Sequence, residues 1–91
     1  MDKAAKKLEI KNKLGLHARA AALLVQTVSR FEAEVKISKD GQVVDARSIM
    51  GVLTLAATQG SKIQVEAHGK EAEEAVRAVA RLVDKKFYES E

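Results

Sequence analysis

The chain contains no cysteine and no proline, and only three of its 91 residues are aromatic. Without cysteine it can form neither a disulfide nor a thiolate metal site, and nothing points to secretion. No apolar run approaches the roughly 20 residues that a membrane-spanning helix requires. The lysine-rich residues 1–7 also lack the apolar core of a signal peptide. These absences predict a cytoplasmic protein that does not insert into a membrane.

The shortage of aromatic residues also argues against nucleic-acid binding. The formal charge of +3 is mildly basic, but Phe87 and Tyr88 lie close to the C-terminus, which leaves only Phe31 elsewhere in the chain. Proteins that stack bases on their surface need exposed aromatic side chains among basic ones. A small RNA-binding domain is therefore disfavoured. A mildly basic surface suits acidic protein partners instead.

The hydrophobic pattern predicts one small domain over residues 1–91. With 46% hydrophobic residues, a chain of this length can bury a single core. Alternation of polar and apolar residues predicts strands, and spacing of three or four predicts helices. The predicted strands cover residues 7–11, 32–38, 42–45 and 62–67, and the predicted helices begin after Gly15, at Ser48 and at Glu71, the last reaching about Phe87. Lysines 3, 6 and 7 are interpreted as a solvated terminus.

The alternating strands predict the fold class. Each strand has one polar face, whereas buried parallel strands are continuously apolar, so the sheet should be antiparallel with one face in water. We expect an α+β, two-layer open-faced sandwich, in which three helices cover one face of a four-stranded antiparallel sheet in the order βαββαβα.

The beginning of the first helix is the candidate functional site. His17 lies where the strand-like segment ends, and Arg19 follows two residues later. The first N–H groups of a helix lack intrahelical partners and carry partial positive charge, so they attract anions. A neutral imidazole is also a nucleophile. This combination favours a phosphoryl group carried on His17 over a metal site, since zinc needs three or four ligands and His68 is the only other histidine. No cofactor is expected.

Two segments resemble the histidine-containing phosphocarrier family, HPr, of the bacterial phosphoenolpyruvate-dependent phosphotransferase system. They are Gly15–Arg19 and Arg47–Val52, where Arg47 stands at a position that is usually lysine in the family. The resemblance implies a phosphoryl carrier rather than an enzyme. It implies that His17 accepts the phosphoryl group on Nδ1 from phosphorylated enzyme I, that Arg19 neutralises the group, and that enzyme IIA-type acceptors receive it for sugar uptake.

The resemblance also implies a regulatory serine and a docking surface. Ser48 matches a serine that an HPr kinase/phosphorylase modifies in many bacteria, and it is also a natural helix N-cap. Ile49, Met50 and Leu53 match an exposed apolar patch that docks partners, although a short helix should leave at most two of the three exposed. Ala20, which replaces the usual proline, is assigned to the same docking surface.

Two alternatives to the sugar-uptake carrier remain open. One is a regulatory phosphorelay carrier of the nitrogen-linked type, which has the same chemistry. The other is an interaction domain that acts through Ser48 and the 49–53 patch, with His17 unused. A carrier that visits several partners is expected to be a monomer.

Overall fold

A computed structural model describes residues 2–89 of the chain. It contains four strands and three α-helices in the predicted order βαββαβα. The strands are β1 (Lys3–Glu9), β2 (Glu34–Lys39), β3 (Gln42–Asp45) and β4 (Lys62–His68). The helices are α1 (Ala18–Val28), α2 (Ile49–Thr54) and α3 (Ala72–Asp84), and a single turn of 3₁₀ type follows at Lys86–Tyr88.

The four strands form one antiparallel sheet in the order β1-β4-β2-β3. Strand β4 shows why one face is covered: Ile63, Val65 and Ala67 are buried, while Gln64 and Glu66 between them are not. Side chains alternate between the two faces of a strand, so the apolar set lies towards the helices and the polar set lies on the open face. The predicted two-layer sandwich is confirmed.

Helices α1 and α3 supply most of the second layer. Helix α3 buries six apolar residues along one side and packs against β1 and β4, while α1 packs against α3 and α2. The shorter α2 buries only Val52. No helix within residues 2–89 is long and apolar enough to cross a bilayer.

The turn between β2 and β3 follows from two residues. Asp40 and Gly41 have φ angles of +49° and +84°, and they connect the paired residues Lys39 and Gln42. A two-residue hairpin with positive φ at both positions matches the twist of the strands, and Asp-Gly is a preferred sequence for it. The strand predicted over residues 42–45 has the same bounds in the structure.

The two ends of the chain differ from expectation. Strand β1 begins at Lys3, where it pairs with His68, and not at residue 7 as predicted. Lys3, Lys6 and Lys7 are exposed to solvent as expected, but their backbone belongs to the sheet and not to a loose terminus. A partner strand supplies hydrogen bonds there that local sequence does not reveal. Helix α3 ends at Asp84 instead of near Phe87, because three successive residues (Lys86, Phe87 and Tyr88) have φ angles of +53° to +56°. This left-handed turn buries Phe87 in the core.

Candidate functional site

The turn before α1 is held against the loop that follows α2. Leu16 donates its N–H to the carbonyl oxygen of Ala57 at 2.9 Å. Gly15 has a φ of +67°, and a Cβ at this position would lie 2.4 Å from the same oxygen and 2.9 Å from Thr58 Cα. Only glycine fits a left-handed backbone that approaches another backbone so closely. The chain is therefore fixed in place two residues before His17.

His17 is the N-cap residue of α1. Its extended backbone (φ −78°, ψ 178°) is typical of that position, and its carbonyl accepts the first helical hydrogen bond from Ala21 N–H at 2.8 Å. The imidazole itself does not cap the helix. Within residues 2–89 the N–H groups of Ala18, Arg19 and Ala20 have no acceptor. A half-buried imidazole thus lies beside unpaired helix donors, as the sequence predicted.

Arg19 lies in the first turn of α1 and is exposed. Its guanidinium makes no hydrogen bond or ion pair with any other residue of the 2–89 range. A guanidinium presents several N–H donors in a planar fork that fits phosphate oxygens. Arg19 is therefore available to an anion bound at the beginning of the helix.

Glu89 is a residue of the site that sequence reasoning missed. Its Oε1 lies 3.5 Å from His17 Nε2 and accepts a hydrogen bond from Asn12 Nδ2 at 2.8 Å. Its Oε2 accepts from the N–H of Leu14 at 3.2 Å. The hydrogen bond from Asn12 is the main cause that lowers the pKa of Glu89 below its ordinary value of 4.5, and Leu14 and His17 add to it. Glu89 is therefore an anion in the folded protein at neutral pH.

Ser48 caps α2. Its Oγ accepts the N–H of Gly51 at 3.0 Å, and its carbonyl accepts the N–H of Val52. The neighbouring Arg47 donates to the carbonyl of Phe31 at 3.1 Å. The predicted capping role of Ser48 is confirmed. Through this hydrogen bond Arg47 links the beginning of α2 to the segment after α1.

Helix α2 presents the predicted apolar residues unequally. Met50 is 76% exposed and Ile49 is 41% exposed, whereas Leu53 is half-buried against the core. The expectation that at most two of the three are exposed is confirmed. Leu14, which the sequence analysis did not single out, is 63% exposed and lies in the turn before His17. Only the fold distinguishes such an exposed leucine from a core residue.

The assignment of Ala20 to the docking surface is wrong. Its side chain is fully buried. Ala20 lies on the side of α1 that faces the core, together with Ala21 and Leu24. A methyl group without exposed surface cannot contact a partner.

Comparison with known proteins gives a consistent result. Residues 4–85 match the family model described as "PTS HPr component phosphorylation site". The phosphocarrier protein HPr of Xylella fastidiosa (strain Temecula1) is 48% identical over 82 residues, which cover 90% of this chain and 92% of the relative. The crystal structure of HPr from Thermoanaerobacter tengcongensis superposes with a TM-score of 0.90 at 44% identity, and both chains are covered completely.

One structural relative carries a different name. The Bacillus subtilis protein Crh, described as a catabolite repression protein that forms a dimer with a swapped domain, gives a TM-score of 0.74 at 41% identity. The match covers 89% of this chain and 93% of that structure. The resemblance, the fold and the carrier function expected from the sequence are confirmed. The chain belongs to the HPr family of phosphocarrier proteins of the phosphotransferase system, which carry a phosphoryl group and are not catalytic enzymes.

Proposed function

We propose that this chain, as one domain over residues 1–91, accepts a phosphoryl group on His17 from phosphorylated enzyme I and passes it to enzyme IIA-type acceptors in sugar uptake. The observation that carries the proposal is the position of His17. Its imidazole is 30% exposed, at a helix N-terminus whose first N–H groups are unpaired within residues 2–89. A second phosphate-binding group lies in the same turn, the guanidinium of Arg19, which has no hydrogen bond or ion pair within residues 2–89.

The transfer requires few catalytic groups. The Nδ1 lone pair forms a bond to phosphorus while the bond between phosphorus and the donor group of enzyme I breaks, and its electron pair returns to that donor. The transferred group is largely metaphosphate-like in the transition state, so positioning and charge stabilisation matter most. Helix N–H groups and Arg19 provide both without enclosing the group. A carrier must also release the phosphoryl group to the acceptor, so an open site suits this role.

Helix α2, which packs against α1, and the turn before His17 together present exposed apolar residues that we propose as a docking surface for these partners. We assign to it Ile49, Met50 and Leu14, which are exposed, and the partly exposed edge of Leu53. Isolated exposed apolar residues are common, but several of them on α2 and on the turn before α1 fit a protein that binds successive partners. The carrier would act as a monomer in the cytoplasm, where enzyme I and its acceptors are found.

Phosphorylation with labelled phosphoenolpyruvate tests the proposal. Purified protein is incubated with enzyme I, and the label on the carrier is tested for acid lability. His17→Ala should abolish the label, because it removes the nucleophile. His68→Ala is the matched control, since it removes the other histidine and should leave labelling unchanged. An enzyme I that charges another carrier but leaves this wild-type protein unlabelled would refute the proposal.

The match to Crh, described as a catabolite repression protein, supports a second candidate function, which is regulation. We assign this regulation to Ser48. An HPr kinase/phosphorylase would phosphorylate Ser48 and place a dianion at the start of α2, beside Ile49 and Met50. Helix N–H groups tolerate an added phosphate, and the charge would then repel or recruit partners at the docking surface. Incubation with that kinase and ATP should label the wild type and not Ser48→Ala. A regulator of this kind would retain its cellular effect when His17 is replaced by alanine.

A further inference from the structure

The last residue that the structure describes brings a carboxylate to the imidazole of His17. The separation of 3.5 Å between Glu89 Oε1 and His17 Nε2 is an ion-pair distance. The other ring nitrogen, Nδ1, makes no hydrogen bond within residues 2–89. The two nitrogens therefore have different environments, since one faces an anion and the other is free.

The position of Glu89 is built into the fold. Its side chain is only 10% exposed, and two donors hold the two carboxylate oxygens separately. One donor, Asn12, is fully buried and bonds at the same time to the carbonyl of Gly15. The backbone before Glu89 also contributes. The left-handed turn at Lys86–Tyr88 buries Phe87, and Glu89, which follows the turn, contacts His17 at the beginning of α1. Backbone in this conformation is unfavourable for non-glycine residues and persists where the surroundings over-determine it.

We propose that Glu89 is a positioning residue for phosphoryl transfer, acting through the Nε2 atom of His17. The proposal rests on the proposed role of His17 as phosphoryl acceptor. In a neutral imidazole one nitrogen carries the proton, and the partner of that nitrogen decides which one it is. A carboxylate beside Nε2 favours the tautomer with the proton there. The lone pair of Nδ1 is then free to attack.

The carboxylate also balances charge during the transfer. When Nδ1 bonds to phosphorus, Nε2 keeps its proton, and the phosphorylated ring is positively charged. Glu89 lies on the Nε2 edge, so it faces this positive charge directly and faces the phosphoryl group only across the ring. The phosphorylated state should therefore be favoured over the same state with a neutral residue at position 89.

Glutamine at position 89 is the informative substitution, because it retains size and removes charge. The glutamine amide has one acceptor oxygen, so it cannot accept from both Asn12 and Leu14 and also face His17 as the two carboxylate oxygens do. Its NH₂ group can instead donate to Nε2, which favours the opposite tautomer. Glu71→Gln is the matched control. Glu71 also accepts a backbone N–H through its carboxylate, from Glu32 at 2.8 Å, but at the C-terminal end of α1.

Nitrogen NMR of isotopically labelled, unphosphorylated protein measures the tautomer ratio of His17 in alkaline buffer, where an imidazole is neutral. We expect Glu89→Gln to lower the ratio of the Nε2–H to the Nδ1–H form by about two- to fivefold, the range for a partly exposed ion pair. Glu71→Gln should leave it unchanged. An unchanged ratio in Glu89→Gln would overturn the proposal. This experiment needs no enzyme I, so its result is independent of whether His17 is the acceptor.

The second measurement is the fraction of carrier phosphorylated at a fixed ratio of phosphoenolpyruvate to pyruvate. The equilibrium constant for phosphorylation should fall about two- to fivefold in Glu89→Gln and remain at the wild-type value in Glu71→Gln. A higher phosphorylated fraction in Glu89→Gln would overturn the proposal, because it would mean that Glu89 competes with the phosphoryl group. Failure of the proposed function is distinct, since labelling of the wild type itself would then be absent.

Discussion

Replacing Gly15 by alanine should destabilise the protein because the added methyl group has no space. The new Cβ would lie 2.4 Å from the carbonyl oxygen of Ala57, whereas 3.4–4 Å is ordinary contact. That oxygen accepts the N–H of Leu16, so displacing it weakens a hydrogen bond next to His17. A left-handed alanine costs about 1–2 kcal/mol, and forced displacement of a packed backbone costs about 1–3 kcal/mol more. We expect Gly15→Ala to lower the free energy of unfolding by about 2–5 kcal/mol.

The control is Gly41→Ala, which separates steric contact from backbone conformation. Gly41 also has a positive φ, of +84°, but a Cβ there would meet nothing within 4 Å. Only the conformational cost of about 1–2 kcal/mol should remain. Urea titrations of both variants, analysed by linear extrapolation, give the two losses. If the two losses of unfolding free energy were equal, the close approach of Ala57 to Gly15 would add nothing to the cost of Gly15→Ala, and the reasoning would be refuted.

Three further predictions concern the side chains of Ser48, Glu89 and Met50. Ser48→Ala should cost about 1 kcal/mol in a urea titration, because the N–H of Gly51 loses its acceptor; no loss would contradict the capping role. The stabilisation by Glu89, measured as the wild type minus Glu89→Gln, should be present above the ordinary pKa of 4.5 and should disappear as the pH falls through the lowered pKa. A difference that stays constant through that acidic range would contradict the argument. Met50→Ala should change stability by less than about 0.5 kcal/mol yet slow phosphorylation by enzyme I. Val43 is also apolar and exposed but lies on the open face of the sheet, so Val43→Ala should leave the rate unchanged.

Several local features were predictable because their cause lies within a few residues. The 42–45 strand, the hairpin at Asp40 and Gly41, and the cap at Ser48 each depend on the side-chain period or on one turn of backbone. The position of His17 at a helix N-terminus has the same origin, since the pattern changes from strand to helix immediately before it. The resemblance to the HPr family added the phosphoryl donor and acceptors, which no local pattern in the sequence indicates.

Other features were missed because they depend on residues far apart in the chain. The first strand extends to Lys3 because β4 lies beside it, and α3 ends early because the chain turns to bury Phe87. Ala20 is in the core because α1 packs with that side inward, and nothing in a run of alanines shows which one faces water.

The sequence by itself determined the order of strands and helices, the antiparallel sandwich and the pairing of a nucleophile with a helix N-terminus, because hydrophobic period and helix ends are local properties. Only the tertiary structure decided the strand order β1-β4-β2-β3, the close approach of Ala57 to Gly15 and the contact between Glu89 and His17. These result from packing the helices against the sheet, which brings together segments that have no shared pattern in the sequence.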